Sequence, residues 1–252
     1  MDSYKETARE ARLKVLEMVW KAKSSHIGSN FSVIDIFTVL FATIKKDDQI
    51  ILSAGWKAAA FYYFLAKRGD FPIEWLDTYN QEGSKLIGLT EPGIPGVLFA
   101  GGSMQMGVPA AVGFALAKKM KGEPGRVYCI MSDGELAGGM VWESMLIASH
   151  HKLDNLAIIV DDNKLQAMGW REEILRSRFP IADPEDWRWL KIRGHDYKDL
   201  RSIVGKSDKP IAYICETIKG KGVSFMENDN LYHYKDLSDE MYEKAKAEIY
   251  AG

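Results

Sequence analysis

CIMSDGELAGGMVWESMLIASHHKLDNLAIIVDDNKLQAMG, residues 129–169, is the stretch that decides the fold. An apolar run from Val127 to Met131 breaks at Ser132-Asp133-Gly134-Glu135. A helix-length segment follows, then a second apolar run, Leu156 to Val160, which breaks at Asp161-Asp162-Asn163. Two buried-strand patterns joined by a helix read as a right-handed βαβ unit in a parallel sheet. Such sheets bind ligands in the crevice beyond the carboxyl ends of their strands, and Asp133 and Asn163 both sit at such ends. One carboxylate and one amide oxygen suit Mg2+, which takes few protein ligands and completes its shell with water and phosphate oxygens.

A carboxylate in Ser132-Asp133-Gly134 and an amide at Asn163, about thirty positions on, resemble the Gly-Asp-Gly and asparagine signature of the thiamine diphosphate enzymes. The block WESMLIASHHKLDNLAIIVDDNKLQ is similar, more narrowly, to the amino-terminal, diphosphate-binding subunit of split transketolases. The resemblance covers nearly the whole chain. It implies a thiamine diphosphate-binding fold over residues 1–252, one diphosphate-binding domain with an N-terminal helical segment.

Composition agrees with a soluble α/β protein. At 252 residues the chain is long enough for one sizeable α/β domain or two small ones. A net charge of −2 with interspersed lysines and acids gives no case for nucleic acid or an anionic membrane as partner. Cys129 and Cys215 lie inside apolar runs and read as small buried hydrophobes in a reducing compartment. No apolar run reaches the roughly 18 residues of a spanning helix. The polar start MDSYKETARE is no signal peptide, so a cytoplasmic location is expected.

Along the chain, residues 4–22 place Ala8, Ala11, Leu13, Val15, Leu16, Val19 and Trp20 on one helical stripe. After a loop at Ser24–Ser29, Ser32 is expected to cap a helix over Val33–Ala42. A strand at Asp48–Ser53, a helix at Trp56–Lys67 and a short helix at Ile73–Tyr79 follow. The Gly- and Pro-rich segment 83–97 is loop and delivers Ala100-Gly101-Gly102-Ser103 to a small-residue helix, Val108–Lys119. Beyond the central block we expect a helix around Pro184–Lys191, a connection at Gly194–Asp196, a strand at Ile211–Glu216 and a terminal helix at Ser238–Tyr250. Alternation of strand and helix predicts an α/β fold, a doubly wound parallel sheet with helices on both faces.

The resemblance implies site residues. Mg2+ falls to the side chains of Asp133 and Asn163 and the backbone carbonyl of Leu165. Cofactor contacts fall to Trp56, Gly102, Ser103, Met104, Asp133, Gly134, Glu135 and Asn163. His26, in Ser25-His26-Ile27-Gly28, and His233, after TIKGKGVSFMEN, correspond to pocket histidines that move protons on sugar hydroxyls. His150, His151 and His195 read as structural.

Departures from the family pattern bear on substrate. Leu52-Ser53-Ala54-Gly55-Trp56 puts Trp56 where the family has a histidine that contacts cofactor and substrate. Gly88-Leu89-Thr90-Glu91 puts Leu89 where a second histidine is usual, and Gly138 stands for a glutamate that links paired active sites. The family's Trp-His-Gly is here Tyr232-His233-Tyr234. Exchanging imidazoles for indole and isobutyl makes a pocket less polar. The implied activity is transfer of a two-carbon ketol group from a ketose phosphate to an aldehyde, on a non-standard substrate of a specialised route. Two alternatives stand beside it: a decarboxylating carboligase taking a 2-oxo acid such as pyruvate, and a non-catalytic cofactor-binding subunit. The pyrimidine-binding domain, with its glutamate for the aminopyrimidine, is expected on a separate subunit in an α2β2 assembly. The isolated chain should then be inactive and expose apolar surface.

Overall fold

The computed structural model describes residues 2–175 and 186–252. Five strands, β1 (Gln49–Leu52), β2 (Val127–Ser132), β3 (Leu156–Asp162), β4 (Arg188–Arg193) and β5 (Ile211–Glu216), form one sheet in the order β1-β2-β3-β5-β4. Every pairing is parallel. The helices are α1 (Asp2–Lys21), α2 (Ile27–Thr43), α3 (Ala58–Arg68), α4 (Gly107–Lys121), α5 (Gly139–His150), α6 (Arg171–Ile174), α7 (Tyr197–Leu200) and α8 (Asp239–Ala251).

Strand residues alternate between two cores, as a period of two requires. Ile50, Leu52, Tyr128, Ile130, Ala157, Ile159, Tyr213 and Cys215 join α1, α2 and α3 in one core. Ile51, Cys129, Met131, Ile158, Val160, Ala212 and Ile214 face α4 and α5 in the other. Helices on both faces explain why the strands read as unbroken apolar runs. Cys129 and Cys215 are free and buried, one in each core, and burial pushes both thiols well above their usual range.

Two expected elements are corrected. The second helix starts at Ile27, so Ser32 is an interior residue rather than a cap. Its hydroxyl donates to the Ser29 carbonyl and to Asp161. Residues 27–40 are buried on every side, and an all-round buried helix has no polar stripe from which to read its start. The expected helix at Pro184–Lys191 is strand β4 from Arg188 on, while Pro184 lies outside the described residues. Among the described residues β4 pairs only with β5. Arg188, Lys191 and Arg193 give this edge strand the charges that discourage further pairing, and those charges mask its alternation. Among the described residues no helix is long and apolar enough to cross a membrane.

Candidate active site

Register builds the site. Ser132 pairs with Asp161, so β2 and β3 end side by side and the residues just beyond them, Asp133 and Asn163, emerge together. A cavity of about 310 Å³ opens there, and Asp133, Gly134, Asn163 and Leu165 all line it. His26, Trp56, Gly102, Met104 and His233 complete the expected residues on its wall. Ser29, Lys57 and Gln166 lie there too.

The loop carrying Gly102 and Met104 reaches the cavity because glycines let backbones touch. A Cβ on Gly55 would stand 2.1 Å from the Gly101 carbonyl oxygen, and one on Gly107 would stand 2.4 Å from the Ser53 side chain. Ser103 is exposed and does not line the cavity. Glu135, expected at the cofactor, does not line the cavity. Its buried carboxylate accepts from Ser53 Oγ at 2.5 Å, Gln105 N at 2.8 Å and Ser132 N at 2.7 Å. It closes a capping box on the short 3-10 turn Asp133–Ala137, which uses up its acceptor capacity inside the protein. Burial raises its pKa despite those bonds.

The metal-ligand candidates sit among cations. Arg171 Nη1 bonds Asp133 Oδ2 at 3.1 Å and Asp162 Oδ1 at 2.5 Å. Lys219 Nζ donates to the Leu165 carbonyl at 3.0 Å. The Asn163 amide oxygen accepts from Leu165 N–H at 3.1 Å. Burial pushes the Asp133 carboxyl up to about 7; Arg171 offsets only part of this, and the Asp162 and Asp161 charges add to it. A buried carboxylate beside amide and carbonyl oxygens fits a small hard cation. Among the described residues no group of three or more histidine, cysteine, aspartate or glutamate side chains forms a metal cage. The donor set here is of another kind, one carboxylate with neutral oxygens.

The two histidines form one wall. His26 ends the loop before α2 in the left-handed conformation (φ 71°), and its N–H donates to the His233 carbonyl at 2.9 Å. The rings meet edge-on with centroids 4.9 Å apart. Lys219 Nζ lies 2.9 Å from His233 Nδ1, and Ser25 Oγ 2.8 Å from His26 Nδ1. Burial, then the charges of Lys219 and its neighbours, lowers His26 to about 4 and His233 to about 3. Both rings are therefore neutral at physiological pH. An ammonium can only donate, so His233 Nδ1 accepts and its proton sits on Nε2. Burial and the Lys57 charge lower Lys219 itself to about 8.

Sequence reading missed Lys57, Asp161, Arg171 and Lys219. Only Lys219 carried a signal, its place in the loop phrase before His233. His195 is structural as expected: Nδ1 lies 2.7 Å from Asp35, and Nε2 accepts the Ile218 N–H at 2.8 Å.

The departures are also located. Trp56 is half-buried in the cavity wall. Leu89 stands behind Gly102, whose missing Cβ would lie 3.8 Å from it. At Gly138 a Cβ would collide with the Gln105 side chain, which fills the space a larger residue would need. Met104, Met168 and Tyr234 line the cavity mouth and are 46%, 80% and 67% exposed. On α5, Met140, Leu146 and Ile147 are also exposed.

The chain has relatives among known proteins. The family model described as transketolase, thiamine diphosphate binding domain, matches residues 3–250. One of the subunits of the apulose-4-phosphate transketolase of Phocaeicola vulgatus is 33% identical over 94% of this chain and 90% of its own. A 6-deoxy-6-sulfo-D-fructose transketolase subunit from a Clostridium species is 34% identical over 96% and 94%. A transketolase crystal structure from Campylobacter jejuni superposes with a TM-score of 0.92 at 30% identity, over 99% of this chain but 43% of that one. Human transketolase is 31% identical, and the chain spans 42% of its length.

Proposed function

We propose that this chain, which belongs to the transketolase family, is the diphosphate-binding subunit of a two-subunit enzyme that transfers a two-carbon ketol group from a ketose phosphate to an aldehyde. The observation that carries this is the strand-end register that gathers Asp133, Asn163 and the Leu165 carbonyl opposite His26 and His233 in one cavity. Asp133, Asn163 and Leu165 would hold Mg2+, and Gly134 leaves room beside them for a diphosphate. Thiamine diphosphate, when bound, supplies the nucleophilic carbon and the electron sink. The protein's part is to orient and to move protons. His233 offers an Nε2 proton to a substrate oxygen, and the neutral His26 ring beside it can take one up. Trp56 and the rim residues Met104 and Met168 exclude water from the reacting end.

Relatives of similar length are named as subunits, and this chain has the apolar rim that a partner would cover. A partner carrying the pyrimidine-binding domain in an α2β2 assembly follows from this assignment. A cytoplasmic location suits the two free thiols. The purified chain should show no turnover, and mixing with its partner subunit should restore it. Turnover by the chain alone would sink the two-subunit assignment.

Substrate choice follows from Trp56. The relatives named for apulose phosphate and sulfofructose act on sugars other than the common pentose phosphates. Low efficiency with xylulose 5-phosphate and ribose 5-phosphate is expected here. Trp56→His should raise kcat/KM on that pair by about tenfold, the effect of one restored hydrogen bond to a buried hydroxyl. An unchanged ratio in steady-state assays would remove Trp56 from specificity.

A further inference from the structure

Asp161 is fully buried, and its donors come from separate elements. Ser32 Oγ of α2 and Lys57 Nζ, in the 3-10 turn before α3, each donate to Oδ2 at 2.5 Å. Thr217 Oγ1, in the loop after β5, donates to Oδ1. Asn163 Nδ2 lies 3.5 Å from Asp161 Oδ2 and 3.4 Å from Ser32 Oγ. Lys57 is as buried as Asp161 and also reaches the Ser29 carbonyl at 3.3 Å.

An asparagine amide has two orientations of nearly equal shape, and only its nitrogen donates. Asp161 Oδ2 and Ser32 Oγ are acceptors on one side of Asn163. They fix the nitrogen there, while the oxygen accepts the Leu165 N–H at 3.1 Å and keeps a lone pair for the cavity. An asparagine in place of Asp161 would offer no such bias. Lys57 Nζ, 2.5 Å from Oδ2, fixes where that carboxylate oxygen stands. We propose that the Lys57–Asp161 pair positions Asn163 for the metal, with Asp161 turning the amide oxygen toward it and Lys57 holding the Asp161 carboxylate in place. This rests on the assignment of Mg2+ to Asp133, Asn163 and Leu165 and adds residues that do not touch the metal.

The test uses the full chain with Mn2+ as the probe, free Mn2+ being counted by electron paramagnetic resonance in the presence of thiamine diphosphate. Asp161→Asn should weaken Mn2+ affinity by about 10- to 100-fold, the usual effect of losing an outer partner of a metal ligand. Ser32→Ala loses the acceptor that faces the Asn163 amide nitrogen and one donor to Asp161, folds without leaving a buried charge unpaired, and should weaken affinity several-fold. Thr217→Val acts on Oδ1, the oxygen away from Asn163, and should leave affinity within about twofold. Equal weakening in Ser32→Ala and Thr217→Val would mean a merely structural knot and overturn the proposal. So would wild-type affinity in Asp161→Asn and Ser32→Ala. Failure of the wild-type chain to bind Mn2+ would remove the Mg2+ assignment together with it, an outcome distinct from the other two.

Discussion

Asp133→Asn should abolish turnover of the assembled enzyme and, at the same time, make the ligand-free chain more stable at pH 8. Loss of activity follows because the single carboxylate of the metal set is gone. Thermal melts with Mg2+ and thiamine diphosphate should show it directly. Saturating ligand at about 100 times its Kd raises wild-type stability by roughly 2.7 kcal/mol, and the variant should gain almost none of it. The gain in the ligand-free protein comes from burial. Asp133 is 2% exposed, and its carboxyl is pushed up to about 7. Arg171 keeps Asp162 at 2.5 Å when Asp133 is neutralised, so no cation is orphaned.

The pH dependence has a definite sign. A carboxyl whose folded pKa exceeds its unfolded value binds its proton more tightly when folded. Its contribution to stability is full below about 4 and is lost as pH rises toward about 7. The loss at pH 8 is roughly 4 kcal/mol if the whole shift is expressed. Denaturant unfolding of the wild-type chain between pH 4.5 and 8, without metal, should therefore show this fall, and Asp133→Asn should flatten it. A parallel pH profile in the variant would show that Asp133 does not titrate there. Under the proposed Mg2+ assignment the cation would take the place of the proton, and the destabilised carboxylate would give the metal its purchase.

How much of this was legible in the sequence depends on where each residue's energy comes from. The strands β2 and β3 were legible because parallel strands covered on both faces must be apolar along their length. β4 was not, because an edge strand carries Arg188, Lys191 and Arg193 without cost. Asp133 and Asn163 were legible because a polar residue directly after a buried strand has few other reasons to be there. Glu135 lies two residues further on and is consumed by the turn it caps, a side-chain direction that no spacing records. Lys57 was invisible: a lysine beside Trp56 and ahead of three alanines reads as a solvated helix start. Its burial becomes explicable only when the fold brings Asp161 to it from 104 positions away.

Lys57→Met should be the most destabilising single change in the cavity floor, with a loss of about 3–5 kcal/mol. Lys57 and Asp161 are each 0% exposed, so removing the ammonium leaves a carboxylate with no access to water. Burial alone would raise the Asp161 pKa; the Lys57 charge and the bonds from Lys57, Ser32 and Thr217 outweigh it and hold the carboxyl below its usual range. Such a group stabilises the fold above its unfolded pKa and loses that contribution as pH falls. In Lys57→Met the balance tips back to burial, so the variant's deficit should be largest at pH 8 and shrink toward pH 5 as Asp161 takes up a proton. The double variant Lys57→Met/Asp161→Asn removes both charges and should recover more than half of the loss, because what is costly is the unpaired charge and not the absence of the pair. Denaturant titrations of the two single variants and the double variant form the cycle that checks this. A double variant as unstable as the sum of the singles would mean that Lys57 and Asp161 act independently, and that the buried cation serves the cavity rather than the carboxylate beneath it.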